Sequence, residues 1–220
     1  MTDLFADELA AAEQAVTAET IHHGQAIKAR AIARKTERLL LRRAKSEAVL
    51  LDILPATLEM GMSYHVISHG DVDALSYLIH IVRQTPVERL LISTWCMAMP
   101  DVEWIRLRID EGRIGCVDFI LGEIFPSQYP DEYTAVRRLE AAGVASIKIA
   151  RNHAKVMVGE SPDGALHFAI ESSSNVNNNP RIEQTAVHMS RELVEHYRDF
   201  YAAVKSIDGD RYTKEKPCQP

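Results

Sequence analysis

The spacing of apolar and polar positions changes twice along the chain. Up to about Leu54, strong helix formers follow one another with no proline and only Gly24 as an interruption, which predicts two helices or one long broken helix. Leu39, Leu40, Leu41, Leu50 and Leu51 give this segment an apolar surface that must meet another helix, the main domain or a second subunit. Pro55 marks its end. Short apolar runs then alternate with helical stretches. Tyr64 to Ser68, Leu90 to Trp95 and Cys116 to Leu121 predict strands. A helix follows each: one capped by Asp71 and running to about Gln84, one from the turn at Pro100-Asp101 through Asp110, and one from Asp131 to Ala142 that Gly143 stops. After Ala145 the strands come in succession, at Ala145 to Ile149, His153 to Val158, Leu166 to Ile170 and Glu183 to Met189, with Ser161-Pro162-Asp163-Gly164 as a tight connection. A final amphipathic helix runs from about Arg191 to Lys205.

A β-α alternation that ends in successive strands predicts an α/β fold, with a mixed β-sheet flanked by helices. The expected organisation is a helical, basic N-terminal extension over 1–54, an α/β domain over 63–207, and a flexible polar tail over 208–220. A length of 220 residues allows one substantial core but hardly two catalytic domains.

Composition narrows the class. Apolar residues make up 46% of the chain and charged residues 25%, as in an ordinary globular protein. No apolar run reaches the length of a membrane span, and the N-terminus carries Asp3, Asp7 and Glu8 in place of a basic leader. A cytoplasmic location without stable membrane insertion is expected. Cys96, Cys116 and Cys218 are too few and scattered for a disulfide framework or a CxxC metal site. The formal charge is −6, yet Lys28, Arg30, Arg34, Lys35, Arg38, Arg42, Arg43 and Lys45 are opposed only by Glu37. Of these, Arg34, Lys35, Arg38, Arg42 and Arg43 are candidate nucleic-acid contacts, since such a run can neutralise several backbone phosphates. The same run also reads as a solvated face that balances neighbouring acidic residues.

Candidate chemistry gathers in the last third. His153-Ala154-Lys155 precedes the polar run Ser172-Ser173-Ser174-Asn175 and then Asn179-Pro180-Arg181-Ile182-Glu183. An imidazole can attack phosphorus or donate a proton. An ammonium, a hydroxyl and a carboxamide can bind phosphate oxygens. On a strand, His153 and Lys155 would project from one side towards one ligand. Arg181 is a candidate contact to a flanking phosphate. His65 and His69, at the end of the first strand, could line the same cleft or be structural. Trp95 and Trp104 read as core or interface aromatics, Asn177 to Asn179 as turn formers, and Asp71 and Asp73 as helix starters instead of metal ligands.

At these residues the chain resembles the phospholipase D superfamily, whose motif is written HxKx4D, followed by a GSxN-like turn and a later carboxylate. His153 and Lys155 fall on the motif's His and Lys, Ser173 and Asn175 on the turn's Ser and Asn, and Glu183 on the carboxylate that orients the histidine. Glu160 stands where the family has Asp, and Ser172 where the turn has Gly. The Ser172 change bears on the turn conformation, because only glycine reaches positive φ freely. Superfamily enzymes use two copies of the motif around one phosphate, and this chain contains one. The resemblance therefore implies a homodimer with a shared site, as in the single-motif nucleases of the family.

It further implies a phosphodiesterase that needs no metal or cofactor and works through a phosphohistidine. His153, Lys155, Asn175 and Glu183 would be catalytic, with Ser173 binding substrate; Arg181, a substrate-binding candidate by its place in the loop, reads equally as an exposed loop arginine with no fixed partner. The basic segment favours nucleic acid as substrate. A noncatalytic nucleic-acid-binding or scaffolding protein of the same fold and a lipid phosphodiesterase are the alternatives.

Overall fold

The structure is a computed structural model and describes residues 41–176 and 181–207. The basic residues Arg34, Lys35 and Arg38, the loop asparagines Asn177 to Asn179 and the C-terminal tail lie outside the described residues.

Seven strands form one mixed sheet: β1 (Ser63–His69), β2 (Val87–Thr94), β3 (Ile114–Gly122), β4 (Ala145–Ala150), β5 (Val156–Glu160), β6 (His167–Ser172) and β7 (Ile182–His188), in the spatial order β1-β7-β6-β5-β2-β3-β4. Strands β2, β3 and β4 run parallel; β5, β6, β7 and β1 add on antiparallel to their neighbours. Composition explains these positions. VERLLIST and IGCVDFILG carry continuous apolar runs, and their strands lie in the interior of the sheet with both faces covered. SYHVISH alternates, with Val66 and Ser68 buried and His65, Ile67 and His69 exposed, and it forms an edge.

The described helices are α1 (41–53), α2 (Ala74–Gln84), α3 (Met99–Asp110), the single turn α4 (Phe125–Gln128), α5 (Pro130–Ala141) and α6 (Arg191–Ala203). The main core contains Leu50 of α1, Leu75, Leu78 and Ile79 of α2, Ile105 of α3 and Val136 of α5, together with Leu90, Ile92, Phe119 and Phe168 of the sheet. Each such side chain contributes about 1.5–3 kcal/mol by leaving water. On the other face α6 sets Val194 and Tyr201 against Leu91, Ile120, Val158 and Ala169. Ile67 and Ile182, at the β1-β7 end of that face, remain exposed.

Three local features refine these expectations. The cap of α2 is Asp73, whose carboxylate accepts from Ser76 N at 2.9 Å; Asp71 instead accepts from His69 N at 2.9 Å and closes the preceding turn. The sheet-bearing compact unit begins at Arg42 and includes residues 42–54. Arg43, a candidate nucleic-acid contact, is turned inward. Its Nε lies 3.4 Å from Asp73 and its Nη2 2.5 Å from Asp101, and the two carboxylates are 1% and 2% exposed. Arg43 thus locks α1 onto the first turns of α2 and α3, and its charge is spent there. Burial opposes its protonation, but the two carboxylates outweigh burial and hold its pKa above the ordinary arginine value. Arg42 is exposed.

His80 provides a pH-sensitive point in the packing. Its ring is buried on α2, with Nε2 3.2 Å from the Pro55 carbonyl. Burial lowers its pKa below 6.5, with Arg83 adding to the effect and the Pro55 carbonyl opposing it. The unfolded chain therefore takes up a proton before the folded chain does, and stability falls as pH drops through about 6.5. Chemical denaturation between about pH 8 and pH 5 should show this slope, and His80→Gln should flatten it. An unchanged slope in the variant would place its origin elsewhere.

Candidate functional site

Strand directions bring the candidate residues to one edge of the sheet. The carboxyl ends of β1, β2, β3, β4 and β6 and the amino ends of β5 and β7 all lie there. His153 and Lys155 immediately precede β5, Ser173 and Asn175 follow β6, Arg181 precedes β7, and Glu183 is its second residue. Open α/β sheets place ligand sites at such edges, because loops there converge without blocking the ladder.

His153 and Lys155 are in a loop and not in the strand, since β5 pairing begins at Val156 opposite Ser93. Their side chains still meet. Lys155 Nζ lies 2.9 Å from His153 Nδ1 and donates to the His153 carbonyl at 2.6 Å. The Lys155 pKa lies below 10.5 because burial disfavours the ammonium, while Cys96 and the Glu183 carboxylate oppose that effect. The exposed imidazole of His153 tilts over Trp95, with ring centroids 5.7 Å apart.

The second loop is bound to β7. Ser173 donates its hydroxyl to Glu183 and accepts from Gln184 N at 3.0 Å, and its own N donates to Gln184 O at 2.9 Å. Glu183 is 8% exposed, a buried carboxylate whose field reaches the half-buried Lys155 ammonium. Asn175 Oδ1 is buried and has no hydrogen-bond partner among the described residues. A buried acceptor left unmade costs about 1–3 kcal/mol, and a donor brought by a ligand would recover it. Arg181 is exposed at the rim.

Ser172 and Glu160 are both accounted for. Ser172 is the last residue of β6, opposite Thr185 in the ladder, so its backbone has no call on glycine's freedom. Its hydroxyl bonds Thr185 Oγ1 at 2.8 Å and accepts from Ser174 N at 3.1 Å, which starts the turn. Glu160 ends β5, about 17 Å along the strand from Lys155. It accepts from Arg198 of α6 and lies 3.4 Å from His167 Nε2, so it fastens α6 to the sheet.

His65 and His69 stand on the opposite face from Glu183. His65 is in register with Ala186 and His69 with Ile182, and the His65 ring meets His188 edge-on at 5.7 Å. Several residues at the site carried no functional reading in the sequence. Trp95 follows β2 and packs on the end of β3, where a Cβ on Gly122 would sit 2.5 Å from its Cδ1. Thr94 accepts from Val176 N at 3.4 Å, and Asn152, after β4, hydrogen-bonds to β2 and β3. Their signal was position: each stands at or just beyond the carboxyl end of a parallel strand. Among the described residues, no three His, Cys, Asp or Glu side chains form a group that could hold a metal ion, and no helix is long and apolar enough to cross a membrane.

No protein-family model matches the chain, and no curated protein sequence matches it either. Among solved structures it is similar to a polyphosphate kinase from Porphyromonas gingivalis, at 14% identity and a TM-score of 0.49 over 70% of this chain. TrmBL2, an archaeal chromatin protein, aligns over 87% at 7% identity and a TM-score of 0.47. A phosphatidylserine synthase from Haemophilus influenzae aligns over 64% at 12% identity and 0.46. The chain spans 27%, 65% and 37% of these proteins' lengths. Likeness of this degree assigns no chemistry; the site residues themselves carry the functional reading.

Proposed function

We propose that this protein is a phospholipase D-like phosphodiesterase, a nuclease, that works through a phosphohistidine at a site shared by two copies of the chain. The observation that carries this reading is the convergence of His153, Lys155, Ser173, Asn175 and Glu183 on one sheet edge. An imidazole nitrogen of His153 attacks phosphorus, and the bond from phosphorus to the leaving oxygen breaks. His153 of the second copy gives its proton to that oxygen. Water then attacks the phosphohistidine, its proton returns to the second imidazole, and the phosphorus–nitrogen bond breaks. Lys155, Ser173 and Asn175 neutralise charge on the phosphate oxygens during both steps. Glu183, whose carboxylate favours the charged Lys155, helps keep that ammonium protonated against its burial.

Because Ser172 serves as a strand end and Glu160 as a distant fastening, neither departure from the family pattern weighs against turnover. The basic segment favours nucleic acid; Arg43 no longer counts toward it, whereas Arg42 remains exposed. The test is incubation of the purified full chain with single- and double-stranded DNA, RNA and phosphatidylcholine vesicles in EDTA. Cleavage of nucleic acid that weakens with salt is expected. Binding without cleavage would favour a noncatalytic role, and headgroup release with nucleic acid intact would favour a lipid phosphodiesterase.

A further inference from the structure

Asn152 stands directly before His153 and is buried, 9% exposed, at the point where the chain crosses from the end of β4 back to β5. Its Nδ2 lies 2.9 Å from the Ile120 carbonyl of β3, 3.3 Å from the Thr94 carbonyl of β2, and 3.0 Å from Ser93 Oγ. Backbone carbonyls can only accept, so the amide must present its amino group to the strands. Its Oδ1 is thereby directed back to the loop, where it accepts from Ala154 N at 3.1 Å. That bond closes an Asx-turn with His153 at its apex. The loop holding Ser173 and Asn175 docks on the same strand end, through Val176 N and Thr94 Oγ1.

We infer that Asn152 is the positioning residue of the site: its carboxamide fixes the backbone of His153 relative to the ends of β2 and β3, and so sets the distance from the imidazole to the phosphate-binding loop. This inference rests on the phosphodiesterase reading for its kinetic consequence, but its geometric consequence is independent of it. Aspartate has the same shape and no donors, and it would set a carboxylate against two carbonyl oxygens. Serine keeps an acceptor for Ala154 N but cannot span to Ile120. Alanine does neither.

Two readouts test the inference. With bis(p-nitrophenyl) phosphate as probe, Asn152→Asp and Asn152→Ala should lower kcat about 100-fold, the cost of a displacement near 1 Å, with KM changed less than about threefold. Asn152→Ser should recover part of the loss. In NMR spectra of the full chain, the His153 ring protons sense the Trp95 ring current, and their shifts should move in Asn152→Ala while signals of core residues such as Phe168 stay in place. Should Asn152→Asp fail to fold, the alanine and serine variants carry the same comparison. Folded variants with wild-type kcat and unmoved His153 signals would overturn the positioning role. If the wild-type chain cleaves nothing but the His153 signals move, the positioning role stands and the phosphodiesterase reading falls.

Discussion

Replacement of His153 by alanine should lower phosphodiester cleavage by on the order of 10⁴-fold or more while leaving stability nearly unchanged. The two halves of this expectation have separate causes. The imidazole is exposed and its described contacts are with Lys155 and Trp95, so its loss opens no cavity in the core. In the proposed mechanism its loss also removes both the nucleophile of one subunit and the proton donor of the other, and among the described residues His65 and His69 cannot substitute, since they stand on the opposite face from Glu183. Steady-state cleavage and a denaturation curve of the same preparation check both halves. Cleavage within about tenfold of wild type would remove His153 from the chemistry.

Arg43→Ala should produce the largest loss of stability, about 3–5 kcal/mol, because it strands two buried carboxylates. Asp73 and Asp101 are essentially inaccessible and approach the same guanidinium. Asp73 also caps α2 and Asp101 accepts from Ala98 N at 2.9 Å, so neither can turn outward without releasing a helix end. Burial already pushes the Asp101 carboxyl above its ordinary 3.8, and Arg43 restrains it. Without Arg43 the folded-state pKa rises further. A carboxyl raised in the folded state is least costly below its unfolded pKa, so the deficit should shrink as pH falls toward 3.8. A loss below about 1 kcal/mol at neutral pH would mean that the pair contributes no more than a surface bridge.

These two residues mark what the chain discloses before folding and what it does not. Period and composition give strands and helices within a few residues, because alternation and apolar runs report burial directly. The run from Leu90 and the run from Cys116 read as strands, and both are buried inside the sheet. The convergence of His153, Ser173 and Glu183 was legible because strand ends that follow one another antiparallel must share an edge. The buried ion pairs of Arg43 are not legible, because a basic run shows charge but not partners, and Asp73 and Asp101 lie 30 and 58 residues away. Asn152 carries no signal in the sequence for a similar reason: its bonds reach Ser93, Thr94 and Ile120, which only the parallel packing of β2 and β3 brings together. The same crossing explains why His153 sits in a loop. The chain must pass over the ends of β2 and β3 before it can pair, and the ladder starts only at Val156.

A site shared by two histidines is the central claim, and subunit mixing tests it most directly. Wild-type and His153→Ala chains, unfolded together in equal amounts and refolded, should retain about a quarter of the wild-type activity per total chain, because only dimers with two wild-type subunits hold both imidazoles. If each subunit acted alone, the mixture would retain about half, and activity would fall linearly with the wild-type fraction. A quadratic dependence on that fraction is the predicted result; a linear one would contradict the shared site.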